Sequence, residues 1–363
     1  MRLKDAIDRL FVRRFQVLDP AGAPTPAFRD EPSMAGDVPC GGCAAKLGQS
    51  ALERALTRIG RPLEDASVVL GLESPDDAVA TSTPRGDVFV SSLDAFPAFT
   101  DDAFVVGRVA AVSSMSDLLA KGVEPRHAQA LVAVPESETS AAAEETLVQV
   151  LSGARTAFDP LGVALLGGHT TKAAGLLVGF VVDGIAASPG ALLRLAGLRP
   201  GDRLILTRPV GTGVLLRADM LGLARGPWIQ AALDSMSRPN LAAARAARDA
   251  GARAATDVTG FGLAGHLAGM LRASGVSAIV DVTALPALPG ALELLARGLR
   301  STSHAANEKA RRGMVVTRDA AAHPNLPLLF DPQTSGACSS ARRPRASRTR
   351  SGGSEPGATQ PPP

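Results

Sequence analysis

Residues 39–48 read PCGGCAAKLG and bring Cys40, Cys43 and Lys46 close together in a chain that has only three cysteines. A C-x-x-C pair is half of a four-ligand zinc site, but the only other cysteine is Cys338, in a segment with no pattern of a folded element. Zinc is therefore not expected. Two readings stay open: a dithiol redox pair, or a thiol nucleophile with Lys46 on the same face of a helical turn. In the second, the ammonium lowers the thiol pKa or meets a phosphate, which suits a soft chalcogen or phosphoryl chemistry.

The aspartates point to a second kind of chemistry. Asp76 and Asp77 in SPDDAVA, Asp94 in VSSLDAF, Asp117 in SSMSDLLA and Asp257 in ATDVTGFG fall mostly at element ends or glycine-rich turns. Mg²⁺ is a hard cation that binds through a few carboxylates and substrate phosphates, so acids so placed could hold a nucleotide polyphosphate. Each one alone reads equally well as a turn former or helix cap. LLGGHTT, with Gly167, Gly168 and His169, and RPVGTG, with Arg208, Gly211 and Gly213, are turns where backbone N–H groups could approach phosphate oxygens. No G-x-x-x-x-G-K-[ST] occurs, which excludes a P-loop. GFGLAG, residues 260–265, matches a dinucleotide fingerprint, but RAATDVT before it is a poor strand and Asp257 would repel a pyrophosphate.

These residues need elements to position them. With 45% hydrophobic and 20% charged residues, 363 residues suffice for two globular domains. Residues 1–39 combine a short helical pattern (Leu3, Ile7, Phe15) with a Pro/Ala/Gly/Asp-rich linker. From 40 to 186, strand-like DVFVSSLD and GLLVGFVVDGIA alternate with helical DAFVVGRVAAVSSMSDLLAKG and SAAAEETLVQVLSGARTAF, the latter opening at Ser140 with an acidic first turn. A second α/β block runs from 187 to 336, from the strand RLILT through SAIVDVTAL to LLFDPQTSG. Residues 337–363 contain no Val, Leu, Ile, Met or Phe and read as a disordered tail. The tail carries five arginines and one glutamate, so the formal charge of +3 resides there and gives no reason to expect nucleic-acid binding by the folded part. No run of 18 apolar residues suggests a membrane span, and sparse cysteines favour a reducing compartment, the cytoplasm.

Read in order, CGGCAAK, SPDDAVA, SSLDAF, GRVAAVSSMSDLLAKG, VALLGGHT, GDRLILTRPVGTGVL, ATDVTGFGLAGHL and FDPQTSG resemble selenophosphate synthetase (selenide, water dikinase) over residues 40–336. The resemblance implies two α/β domains of the aminoimidazole ribonucleotide synthetase-like fold. It also implies a homodimer whose N-terminal domains close a barrel, and conversion of ATP, selenide and water to selenophosphate, AMP and phosphate with Mg²⁺. Cys43 and Lys46 match the family's catalytic pair. Asp77, Asp117 and Asp257 match its magnesium ligands. Lys46, Ser74, Pro75, Asp76, Asp94, Asp117, Gly168, His169 and Thr170 match its ATP contacts. Free selenide or a selenium-delivery protein is the implied source of selenium. The first fifteen residues are similar to the end of the NADH-dehydrogenase-like module that precedes some members, which implies a fragment of such a fusion or a late start.

Four departures qualify the resemblance. Lys172 and Gly175 stand where carboxylates are usual, Arg208 where lysine is common, and Ser113 where asparagine or histidine is expected. Beyond Gly336 the expected strand, helix and strand give way to an Arg/Pro/Ser-rich string, as a shifted frame or truncation would produce. The alternative functions are an inactive or nucleotide-binding relative with a damaged second domain, or another ATP-using member of the same superfamily, such as a purine-pathway synthetase or thiamine-phosphate kinase.

Overall fold

A computed structural model describes residues 40–46, 49–60, 63–73, 75–336 and 338–342. Ser74, the N-terminal helical pattern and the tail beyond 342 lie outside the described residues.

The first domain is built on a mixed six-stranded sheet of β1 (Val68–Leu70), β2 (Val79–Ser82), β3 (Val88–Pro97), β4 (Pro125–Pro135), β5 (Ala164–Ala173) and β6 (Leu177–Ala186). Their order is β1-β2-β3-β6-β4-β5, antiparallel throughout except for the parallel pair β4–β5. Helix α1 (Gln49–Ile59) precedes the sheet; α2 (Ala103–Ala120) and α3 (Ser140–Phe158) belong to the layer packed on it. Alternation along β3 turns Val88, Val90, Ser92, Asp94 and Phe96 to the buried face and leaves Phe89, Leu93 and Pro97 exposed. Two polar residues, Ser92 and Asp94, thereby enter the interior and meet buried polar residues of α2.

Helix α2 is enclosed between sheet and α3, which explains its lack of a polar face. Its 18 residues are long and apolar enough to cross a membrane, but most are buried inside the fold, as in a core helix. The α2–α3 crossing is tight: a Cβ on Gly107 would lie 2.0 Å from the Val150 carbonyl oxygen, and one on Gly153 would lie 1.9 Å from that of Phe104. Only glycine admits this approach. The cap of α3 differs from the sequence reading. It is Thr139, whose hydroxyl accepts the Ala142 N–H, and the first turn carries no acid.

The second domain contains β7 (Arg203–Leu206), α4 (Thr212–Met220), α5 (Gly226–Met236), α6 (Leu241–Asp249), β8 (Ala254–Asp257) and α7 (Gly262–Ser274). SAIVDVTAL contributes no strand; it ends in a 3-10 turn, Val282–Ala284, started by the Asp281 side chain. The weak strand pattern RAATDVT instead yields β8, buried at all four positions, because enclosure outweighs local propensity.

Cys338–Arg342 form β9, antiparallel between β7 and β8 in a three-stranded sheet. The expectation of a disordered tail starting at 337 therefore fails for these five residues. Strand pairing is made by the backbone, and β7 and β8 offer it two otherwise open edges. The second domain has core clusters of its own, and Leu216, Met236 and Ala244 pack into the first domain's core cluster.

Candidate functional site

The cysteine motif forms one 3-10 turn, Gly42–Ala45, that begins at a left-handed glycine: Gly42 has φ +64°. Both Cys40 and Cys43 are buried free thiols. The Cys43 backbone N–H donates to Thr334 Oγ1 at 3.1 Å, and the Ser335 backbone N–H faces the Cys43 sulfur. Ser335 adopts φ +50°, a left-handed conformation that costs a non-glycine residue roughly 1–2 kcal/mol. Burial pushes the Cys43 thiol up to about 12; Lys46 opposes that shift and Asp94 adds to it. Cys40 sits apart against Thr302, whose hydroxyl accepts the Cys40 N–H at 3.4 Å.

Lys46 Nζ lies 2.7 Å from Asp94 Oδ1. The other Asp94 oxygen accepts from Ser113 Oγ at 2.7 Å, so the serine that departs from the family pattern has a donor role. Asp117, one helical turn after Ser113 on α2, accepts from Ser92 Oγ. Asp257 closes β8, and Asp77 starts the segment into β2. Burial first, then Asp257 and Asp94, hold the Asp117 carboxyl well above its ordinary range. Burial first, then Asp77, raises Asp257 to about 7. Asp257 Oδ2 is buried without a hydrogen-bond partner. Four acids from three strands' surroundings and one helix therefore converge with less positive charge than they need.

Lys121, the C-cap of α2, is a further member that sequence reading missed. Fully buried, it contacts Asp76 Oδ1, lies 2.9 Å from Asp77 Oδ2 as a charge contact outside hydrogen-bond geometry, and donates to the Ala255 carbonyl at 3.0 Å. These acids hold its ammonium well above the ordinary range despite burial. Asp76 is saturated by protein donors: Lys121, the Asp77 N–H at 2.8 Å and the Leu195 N–H at 2.8 Å. It braces the two domains, whereas Asp77 faces the acid cluster.

His266 on α7 was also missed. It lies with Asp77 and Asp257 in a group whose ligand atoms are within 4.8 Å of one another. Its Nε2 accepts the Thr259 N–H at 3.0 Å, so the ring proton resides on Nδ1, toward Thr256 Oγ1. Burial, with Lys46 and Lys121, pushes the imidazole down to about 3. With one nitrogen engaged and the other protonated, this ring lines the cluster as a neutral wall and is no ligand in this arrangement. Thr256 Oγ1 in turn donates to Asp77 Oδ1 at 2.9 Å.

The turn RPVGTG differs from its sequence reading as a phosphate cradle. The N–H groups of Gly211 and Thr212 donate to Gln333 Oε1, and that of Gly213 donates to Asp331 Oδ2. The chain's own DPQTSG segment fills the start of α4. Arg208 is absorbed similarly, by the carbonyls of Ser235 and Arg238 and the Asn240 side chain.

Gly168, His169 and Thr170 do not join the cluster. They are exposed on edge strand β5, with Lys172 at the same edge. Asp94 pairs with Phe180, Phe180 with Ala130 and Ala130 with Gly168, which separates Asp94 from Gly168 by three strand spacings, roughly 14 Å. Pro75 is exposed, and Ser74 lies outside the described residues.

A cavity of about 220 Å³ is lined by Lys46, Phe261, Thr302, Ser303 and Asn307.

Residues 64–186 match the N-terminal domain of AIR synthase related proteins and residues 199–326 the C-terminal domain. Selenide, water dikinase of Nitratidesulfovibrio vulgaris strain DP4 is 38% identical over 302 residues, covering 81% of this chain and 84% of that protein. The enzyme of the same name from Escherichia coli O139:H28 is 34% identical over 304 residues, covering 81% and 83%. Among solved structures, AaThiL complexed with AMPPCP and TMP superposes with a TM-score of 0.59 at 16% identity, over 82% of this chain and 85% of that one. Escherichia coli HypE, a hydrogenase maturation protein, superposes with a TM-score of 0.53 at 18% identity, over 94% and 82%. At such identities these two show a shared fold alone.

Proposed function

The chain belongs to the selenide, water dikinase family, and we propose that it converts ATP, selenide and water to selenophosphate, AMP and phosphate at the acid cluster beside Cys43. The observation that carries this reading is the convergence of Asp77, Asp94, Asp117 and Asp257 around Lys46, next to a buried thiol.

The donor set fits Mg²⁺. It is all oxygen, Asp257 Oδ2 has no protein partner, and burial first, then neighbouring carboxylates, raise Asp117 and Asp257, a charge penalty that a cation relieves. Asp77, Asp117 and Asp257 would hold it. When bound, the ion neutralises polyphosphate charge. His266 keeps a neutral ring beside the acids, and Lys121 fixes Asp77 while relieving part of its charge.

Lys46 is oriented by Asp94 and keeps ammonium protons for a phosphoryl oxygen. Cys43 is a thiol in this state; its Lys46 neighbour favours the thiolate, and so does any neutralisation of Asp94 and Asp257. We assign Cys43 the handling of selenium, whose softness matches sulfur.

A homodimer is part of the proposal. The sheet face opposite α2 leaves Val79, Phe89 and Leu93 exposed, an apolar surface that a second copy would cover. Within one chain, Gly168–Thr170 stand too far from Asp94 to share an ATP phosphate group, so their contact with nucleotide is proposed across that boundary.

The test is anaerobic incubation of the purified chain with MgATP and selenide, followed by phosphorus NMR. Selenophosphate and AMP in equal amounts are expected. Their absence from a folded, ATP-binding chain would reject the assignment.

A further inference from the structure

We infer that Lys121 is a built-in counter-cation of the acid cluster: its ammonium holds, between Asp76, Asp77 and the Ala255 carbonyl, a seat that a metal ion would otherwise take. Three oxygens surround Nζ. Asp76 Oδ1 is in direct contact, Asp77 Oδ2 lies at 2.9 Å and the Ala255 carbonyl oxygen at 3.0 Å. Two carboxylates and a backbone carbonyl are the hard oxygen donors through which proteins bind Mg²⁺ or Ca²⁺. Lys121 has no exposed surface, so its side chain cannot carry the charge out to water. A buried charge of this kind persists only when oxygens of opposite charge meet it.

Helix α2 places the ammonium. The Lys121 backbone N–H caps that helix on the Asp117 and Leu118 carbonyls, and a helix C-terminus favours a cation. Asp117 stands one turn earlier on the same helix. From the second domain, β8 closes the seat through Ala255, two residues before Asp257. Fully enclosed by protein oxygens, Lys121 touches no substrate and acts as a positioning residue. It fixes Asp77 Oδ2, while Thr256 Oγ1 donates to Asp77 Oδ1 at 2.9 Å, so the carboxylate is aligned before any ion arrives. Asp257 Oδ2, buried without a partner, stays open for the Mg²⁺ of the proposed reaction. The inference rests on that reaction only for this Mg²⁺; protein atoms alone define the Lys121 seat.

The test counts Mn²⁺ ions, as a paramagnetic stand-in for Mg²⁺, bound by the full chain without nucleotide. Parent, Lys121→Ala and Lys121→Met are compared by electron paramagnetic resonance titration and by melting temperature. Both variants lose the charge and should be less stable than the parent. Alanine vacates the seat, whereas methionine fills it with an uncharged side chain of similar length. Lys121→Ala should bind one ion more per chain than the parent, and Mn²⁺ should raise its melting temperature further than the parent's. Lys121→Met should keep the parent's ion count. A Lys121→Ala chain that folds only with Mn²⁺ present also supports the seat. An equal ion count in parent and Lys121→Ala, an extra ion in Lys121→Met, or a Lys121→Ala chain that stays unfolded at every Mn²⁺ concentration overturns it. A parent that binds no Mn²⁺, beside a Lys121→Ala chain that binds one, would reject the metal role of Asp77, Asp117 and Asp257 and keep the seat. A parent that binds Mn²⁺ with a count unchanged in Lys121→Ala would reject the seat alone.

Discussion

The hydroxyl of Thr334 accepts the backbone N–H of Cys43 at 3.1 Å, a bond between residues 291 positions apart. Thr334 is itself held through its N–H by Thr212 Oγ1 at 2.9 Å, at the start of α4. The DPQTSG segment thus ties the cysteine turn to the second domain, and its geometry decides where the thiol sits.

Thr334→Val should therefore leave the Cys43 N–H buried and unsatisfied, at a cost of about 1–3 kcal/mol. Selenophosphate formation should fall by about tenfold or more through misplacement of the thiol, with MgATP affinity kept. Thr334→Ser should restore the rate. Steady-state kinetics together with nucleotide titration check this, and equal loss of ATP binding would refute a positioning role.

Lys121→Met should destabilise the chain by about 3–5 kcal/mol, because Asp76 and Asp77 would remain buried without their cation. Pairing it with Asp76→Asn should recover part of the loss. Urea denaturation of the two single variants and the double variant measures the coupling.

Asp331 supplies a pH dependence. Burial raises its carboxyl from 3.8 to about 7, although Gln333 and the N–H groups of Gly213 and Val214 oppose the shift. The folded state then holds a proton that the unfolded state has released between about pH 4 and pH 7. Stability should therefore fall as pH rises through that window, by up to about 4 kcal/mol. Asp331→Asn, which cannot ionise, should flatten the profile; melting temperatures at pH 5 and pH 8 give the comparison.

Cys43 should resist iodoacetamide in the folded chain near neutral pH, as a buried thiol raised to about 12 carries almost no thiolate there. Its alkylation should become fast in denaturant, as read by peptide mass spectrometry. Cys43→Ser should abolish selenophosphate formation yet keep MgATP binding.

Asp257→Asn should weaken Mg²⁺-dependent thermal stabilisation while raising the melting temperature of the metal-free chain, since it removes one repelling charge from the cluster. Differential scanning fluorimetry with and without Mg²⁺ separates the two effects.

Sequence alone determined what depends on neighbours a few positions away. Strand alternation put Ser92 and Asp94 on one face of β3, helical spacing put Ser113 and Asp117 on one face of α2, and the C-G-G-C-A-A-K string specified a tight turn carrying thiol and ammonium. The motif order was sufficient for family and fold class. What only the tertiary structure decided involves partners that no local pattern encodes. Lys121 reads as the end of an apolar helix until Asp76 and Asp77, more than forty positions earlier, meet it. The glycine turn RPVGTG looks open until Gln333 and Asp331 occupy its N–H groups. Gly168–Thr170 look like part of the acid site until strand order sets them three strands away. Cys338–Arg342, without large apolar side chains, find order as β9 because two strand edges supply backbone partners. In each case a buried polar group or an open strand edge must be satisfied, and the chain reversals that bring distant residues together determine by which group.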